Sequence, residues 1–423
     1  MLRRVTIANL APTGEGVSRT SDGIGFVAGA LPGEEVDAEV LEVHRKFWKS
    51  RAATIRTRSA LRRTGPHAQG CAGCDWSHYD IASALSSKRD LFLETMQRIG
   101  DLPGSLFGDL PIEESALAYR LRSRFHVAGR GESARIGYFA PGTHDVEGAE
   151  NCEALSESMR ALLPSLGQAI AESGASVTEV ATVESLDASR RLARATLAAG
   201  ADRRAANRVQ DALFDLFDGV AVADVEGPVL ARGGERRLWI PVGEHEFPLT
   251  PGTFFQSNRH LLESLYGGVA REATGVAPGR ALDLFGGVGL FAGALLDAGH
   301  AVVTVEANHA AVEQAAAASR RWRAGSWTIH HEEALAFLGR NREGFDITVA
   351  DPPRSGLGTA VTRALACRGG LLVYVSCEPA TLARDLAVFV AEGLHIRTSR
   401  LYDLYPLTHR VEAIVALAPS SAP

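Results

Sequence analysis

The chain has 423 residues, 46% hydrophobic and 22% charged, which is enough for two or three cores and too apolar for a disordered polymer. The first residues lack the apolar run of a signal peptide, and no later stretch reaches the roughly 18 uncharged apolar residues of a membrane span. A soluble, cytoplasmic, multidomain protein is expected. Five cysteines, two of them in one CxxC, do not make a secreted disulfide framework, and a net charge of -6 leaves nucleic-acid binding to the distribution of charge.

Residues 1–60 are short alternating stretches punctuated by Gly14, Gly16, Gly23, Gly29 and Gly33, a spacing that predicts a small β-barrel. From Val43 to Gly65 there is no acid, while Arg45, Lys46, Lys49, Arg51, Arg56, Arg58, Arg62 and Arg63 gather beside Phe47 and Trp48. Such a run is either a solvated face or a surface on which cations meet phosphates and rings meet bases. Residues 61–250 read as a central α+β domain, with Cys71 and Cys74 near its start and part of 81–111 left open to packing on the catalytic domain. Within it, Tyr119 to His126 alternates so that Arg120, Arg122 and Arg124 share one face of a strand, and Leu155 to Ala171 is a helix that Pro164 kinks or divides. Residues 251–423 are clearer. Strand-length apolar runs at Ala281 to Phe285, Ala301 to Glu306, Phe345 to Ala350, Leu371 to Ser376 and Val411 to Ala418 alternate with helical patterns, which predicts a doubly wound α/β sheet.

The first of these runs carries Asp283 and breaks into Phe285-Gly286-Gly287-Val288-Gly289; the second ends in Glu306. A nicotinamide site would want GxGxxG to set a helix N-terminus on a pyrophosphate. S-adenosylmethionine has no phosphate but carries an amino group and a sulfonium, so an acid before the turn and another for the ribose hydroxyls suit it better. Asp351-Pro352-Pro353-Arg354 follows the third run, where a proline pair either ends the strand or holds Asp351 rigid in the crevice beyond the carboxyl ends of the strands. Cys377 ends the fourth run at the same edge. A cysteine there is ordinarily packing, the reading given to Cys367, but Cys377 comes one strand after Asp351 and is followed by Thr381, Arg384 and Asp385.

Across nearly its whole length the chain resembles the RNA uridine-5-methyltransferase family. Ser376-Cys377-Glu378-Pro379-Ala380-Thr381 is similar to the family's catalytic signature, His409-Arg410-Val411-Glu412 to its base motif, and Phe254-Phe255-Gln256-Ser257-Asn258 to its glutamine segment. Residues 3 to 57, with Leu31-Pro32-Gly33-Glu34, look like its TRAM domain, an RNA-binding barrel. The resemblance implies an OB-like TRAM barrel, a central α+β domain and a carboxyl-terminal class I, Rossmann-like methyltransferase fold. It implies Cys377 as nucleophile on carbon 6 of a uridine, Glu412 as the base that removes the carbon 5 proton, and cofactor contacts from Gln256, Asp283, Phe285, Gly287, Glu306 and Asp351. S-adenosylmethionine is the expected cofactor and structured RNA the partner, ribosomal RNA ahead of transfer RNA, with no membrane and no protein partner.

Family members often hold an iron-sulfur cluster on four cysteines. Here Cys71, Cys74 and Cys152 match three, and the first is missing from the stretch before Cys71 that contains His67. A [4Fe-4S] cluster, zinc and simple packing all stay open. A second departure is Leu290, where the family commonly has a polar residue. Two rivals are an amino-group methyltransferase using the Asp-Pro-Pro motif, which needs no thiol, and an RNA-binding protein with a vestigial fold.

Overall fold

The computed structural model describes residues 1–64, 73–129, 134–140, 143–225, 227–322 and 326–419. Six strands between Leu2 and Thr57 form the amino-terminal sheet, which closes on a core of Val5, Ile7, Val27, Val36, Ala38 and Trp48. Alternation along these strands puts the apolar residues inside and leaves the basic ones outside. Most cations of the basic run already have partners: Arg51 with Glu39, Lys49 with Glu42 and Arg56 with Asp37 on the strands, and beyond them buried Arg62 with Glu34 and Arg63 with Glu153.

A seven-stranded sheet follows, from Arg122–Ala128 to Val229–Gly234, packed by the helices Glu157–Ser173 and Arg203–Leu213. The helix bearing Pro164 is not divided. Pro164 lies on its exposed side, and the buried stripe of Met159, Leu163, Leu166 and Ile170 continues past it, so packing outweighs the lost backbone bond. Of the three arginines assigned to one strand face, Arg122 and Arg124 belong to strand Arg122–Ala128. Arg120 precedes that strand and turns inward, donating to the Tyr138 hydroxyl and the Gly73 carbonyl.

The carboxyl-terminal sheet has eight strands in the order Trp327–His331, Ala301–Glu306, Arg280–Leu284, Ile347–Ala350, Leu371–Ser376, Glu412–Pro419, Leu394–Tyr402, Ile112–Glu113. The first five are parallel, and Glu412–Pro419 runs antiparallel to both of its neighbours. Two apolar clusters cover its faces. One takes in Leu238, Ile240, Val242, Phe247 and Leu249 from the hairpin just before residue 250, so by packing this hairpin goes with the catalytic sheet. The other takes in Phe92 and Met96 from helix Ile81–Gly100. No helix among the described residues is long and apolar enough to cross a membrane.

Candidate active site

Sheet register explains why residues far apart in sequence meet. Leu284 pairs with Ala350 on one side and Val305 on the other, so the next positions, Phe285, Asp351 and Glu306, lie side by side at the carboxyl ends of three parallel strands. One face of this edge is formed by the glycine turn. Gly286 has no room for a side chain: a Cβ there would sit 2.3 Å from the Asp283 carboxylate and 2.4 Å from Thr304. Phe285 takes the left-handed conformation, φ 63°, held by its N–H on the Val305 carbonyl at 3.0 Å. The Glu306 carboxylate accepts from the Gly287 N–H at 2.9 Å and from the Asn308 N–H at 2.6 Å, which fixes its orientation at the mouth of the turn.

Asp283 is fully buried beneath the turn, accepting from the Thr304 hydroxyl at 3.1 Å, and burial together with the Glu306 charge pushes it up to about 7. Burial and the Asp283 charge likewise push Asp351 up to about 7, against a pull downward from the Gln256 amide, whose Nε2 donates to it at 3.4 Å. Among the described residues, the buried acceptors Asp283 Oδ1 and Gln256 Oε1 have no hydrogen-bond donor. Two orphaned acceptors between two carboxylates suit a ligand that brings ammonium N–H groups and positive charge.

The expected nucleophile and base come from the two strands at which the sheet changes from parallel to antiparallel. Ser376 is in register with Ala413, so the next position sets Cys377 opposite Glu412. Cys377 is half-buried and Glu412 is buried. Burial raises both, and Asp351 adds to each; Glu412 also raises Cys377, whose thiol reaches about 12. The opposing influence is the positive charge of Arg354, which draws both the thiol and Glu412 down.

Arg354 had no assigned role in the sequence reading, although it stands inside the Asp-Pro-Pro motif. Its loop is held from the next helix: Thr381 Oγ1 donates to the Arg354 carbonyl at 3.0 Å, Arg384 to the Ser355 carbonyl at 2.9 Å, and Asp385 accepts from the Leu357 N–H at 2.7 Å and the Tyr374 hydroxyl at 2.8 Å. Tyr405 is a second unassigned neighbour, its hydroxyl raised by burial and by Glu412 and Cys377. The reading of Cys367 as core packing is corrected, since it is exposed at the end of helix Gly358–Ala366.

Cys74 and Cys152 are buried in the core of the central domain, and Cys71, like His67, is outside the described residues. Two thiols fall short of the four ligands of an ordinary four-iron cluster, and among the described residues no group of three or more His, Cys, Asp or Glu could hold a metal.

Parallel strands that close on an antiparallel pair, opened by a glycine turn between two acids, define a class I methyltransferase fold. Residues 340–419 match the model of the tRNA (Uracil-5-)-methyltransferase family and residues 2–53 that of the TRAM domain. The 23S rRNA (uracil(1939)-C(5))-methyltransferase RlmD of Halomonas elongata is 30% identical over 99% of this chain and 90% of that protein. Its counterpart in Pseudomonas fluorescens is 29% identical over 99% and 92%. The crystal structure of Pyrococcus abyssi tRNA (uracil-54, C5)-methyltransferase in complex with S-adenosyl-L-homocysteine superposes with a TM-score of 0.78, at 21% identity, over 98% of this chain and all of that one. The chain belongs to the RNA uridine-5-methyltransferase family and is an enzyme.

Proposed function

We propose that the enzyme methylates carbon 5 of a uridine in ribosomal RNA, with Cys377 as covalent nucleophile and Glu412 as general base. The observation that carries this reading is the placement of thiol and carboxylate opposite each other on adjacent strands. Carbon 5 of uracil is a weak nucleophile. Attack of the Cys377 sulfur on carbon 6 forms an S–C bond and moves the ring π pair through carbon 5 onto the carbonyl at carbon 4, giving an enolate that is nucleophilic at carbon 5. S-adenosylmethionine, when bound, would supply the methyl group that carbon 5 takes up, the electron pair of the methyl–sulfonium bond staying on sulfur so that S-adenosylhomocysteine is left. Gln256, Asp283, Phe285, Gly287, Glu306 and Asp351 would hold it, the orphaned acceptors meeting its amino group and Glu306 its ribose. Glu412 then removes the proton from carbon 5, the electron pair reforms the ring double bond, and the Cys377 thiolate leaves. The choice of ribosomal RNA is supported by the names of the relatives that align over almost the full chain.

The test uses the two steps' different failures. Cys377→Ala should bind cofactor and RNA, yet neither methylate nor form an adduct. Glu412→Gln should accumulate a methylated RNA–protein species that survives denaturing electrophoresis and maps to the peptide containing Cys377. RNA with fluorine at carbon 5 of the target should trap the unaltered enzyme, because no proton is there to remove. A Cys377→Ala enzyme that still methylates would end the covalent reading and favour amino-group transfer.

A further inference from the structure

A cavity of about 590 Å³ opens between the central sheet and the catalytic domain, away from the reacting pair. It is lined by Arg194, Arg232, Arg236 and Arg237 from the central sheet and the turn after it, and by Arg320 from helix His309–Trp322. Among the described residues none of these five arginines forms a salt bridge. Of the two acids in the lining, Glu235 is already paired with Arg190, which leaves Glu313 against five cations. The arginines therefore face one another: burial and the neighbouring Arg236 and Arg194 hold Arg232 below its usual range, and burial with Arg236 and Arg320 does the same to Arg237. Arg194 Nε is buried without a hydrogen-bond partner.

Five cations gathered around one unpaired acid repel one another, and a bound polyanion relieves that repulsion. We propose that this groove holds the phosphodiester backbone of the substrate RNA on its approach to the catalytic pocket. The proposal rests on the reading of the enzyme as one that acts on RNA. The expected cofactor carries net positive charge, so an arginine groove disfavours it. Position favours a chain-like ligand: Thr250 to Thr253 line the groove, and Gln256 follows within about 14 Å even for a fully extended chain from Gly252. Between them Phe254 is exposed, with the half-buried Arg122 guanidinium 5.4 Å from its ring, so a further cation stands between the groove and the site. The amino-terminal sheet, where the basic run lies, has spent most of its cations on its own acids.

The experiment measures binding of a labelled hairpin transcript with a single-stranded extension, across a salt series, to the full-length enzyme and to an Arg232→Gln, Arg236→Gln, Arg237→Gln variant. Affinity should fall at least about tenfold, and the slope of log K against log salt should flatten by about two units, at roughly 0.7 to 0.9 per lost contact. The corresponding triple lysine variant keeps the charge and should restore the slope; this separates a phosphate site from a folding defect. An unchanged slope in the folded glutamine variant overturns the proposal and leaves an acidic protein surface as the groove's other occupant. Should the unaltered enzyme methylate no uridine in any RNA, the enzymatic reading fails, while this binding comparison still decides the groove.

Discussion

The proposed mechanism needs Cys377 as a thiolate, yet burial, Glu412 and Asp351 push it up to about 12, and Arg354 pulls the other way. Removing that guanidinium leaves the developing thiolate between two carboxylates. Arg354→Ala should therefore lower kcat/KM by about 100-fold, the scale of losing one preorganised charge contact, and move the rise of activity with pH to higher pH. Arg354→Lys should recover part of the rate. A pH profile that keeps its position in Arg354→Ala would remove the residue from thiol activation. At the other end of the site, Asp283 and Asp351 lie near 7 without ligand, so both are largely protonated at pH 6 and ionised at pH 8. A cation binds the ionised forms, which lowers their pKa values. Cofactor affinity should accordingly strengthen from pH 6 to pH 8, with protons released on binding. Calorimetry in two buffers of different ionisation enthalpy measures that release, and Asp283→Asn should reduce it. Equal affinity at both pH values would count against the two acids as cofactor ligands.

The segment from Asp403 to Val411, which delivers Glu412, is the element on which the site depends, and it has no regular structure for most of its length. It is held from outside. Lys88, buried in helix Ile81–Gly100, donates to Asp403 at 2.5 Å and to the Tyr405 carbonyl at 3.1 Å, and Asn258 donates to the Leu404 carbonyl at 2.9 Å. Lys88→Met leaves Asp403 as a buried charge without its partner and should cost about 3–5 kcal/mol in urea unfolding, while Lys88→Met with Asp403→Leu should regain most of it. If the double variant is as unstable as the single one, packing rather than charge accounts for the loss. The same contacts mark where the sequence was legible. Strand Leu371–Ser376 was readable to the residue because a strand buried on both faces is an almost unbroken apolar run, and Ala301–Glu306 because its β-branched residues end in an acid. Trp327–His331 and Leu394–Tyr402 were not, since each lies towards an edge of the sheet and mixes exposed polar residues into a short pattern. Cys377 and Glu412 could be named by motif, but their pairing depends on an antiparallel register that nothing local encodes, and Lys88, 315 residues from Asp403, gives no signal at all. Arg354 was a missed opportunity, because the motif already placed it beside Asp351.

The amino-terminal sheet, the Asp75-Trp76 pair and the segment leading to Glu412 meet at one junction, which ties the barrel to the proposed base. The Trp76 indole donates to the Gly14 carbonyl at 2.7 Å and the Trp76 backbone to the Leu407 carbonyl at 2.9 Å; Asp75 accepts from the His409 backbone at 3.2 Å and pairs with its ring. His409 stands three residues before Glu412. The Asp75–His409 pair is partly exposed, so it adds only about 0–1 kcal/mol to stability, and its effect should be on position. Asp75→Ala should lower kcat by about 10- to 100-fold, as a displacement on the order of 1 Å does at a reacting centre, with the melting temperature almost unchanged. Cofactor affinity should stay the same, because Gln256, Asp283 and Glu306 lie elsewhere on the sheet edge. Gly14→Ala perturbs the same junction from the barrel side: its φ is +95°, and a Cβ there would sit 2.9 Å from the His409 side chain. Both variants should slow release of the covalent species more than its formation, since His409 leads to the base and not to the thiol. Single-turnover kinetics with trapping of the adduct separates the two steps, and unchanged elimination in both variants would reduce the junction to a tether.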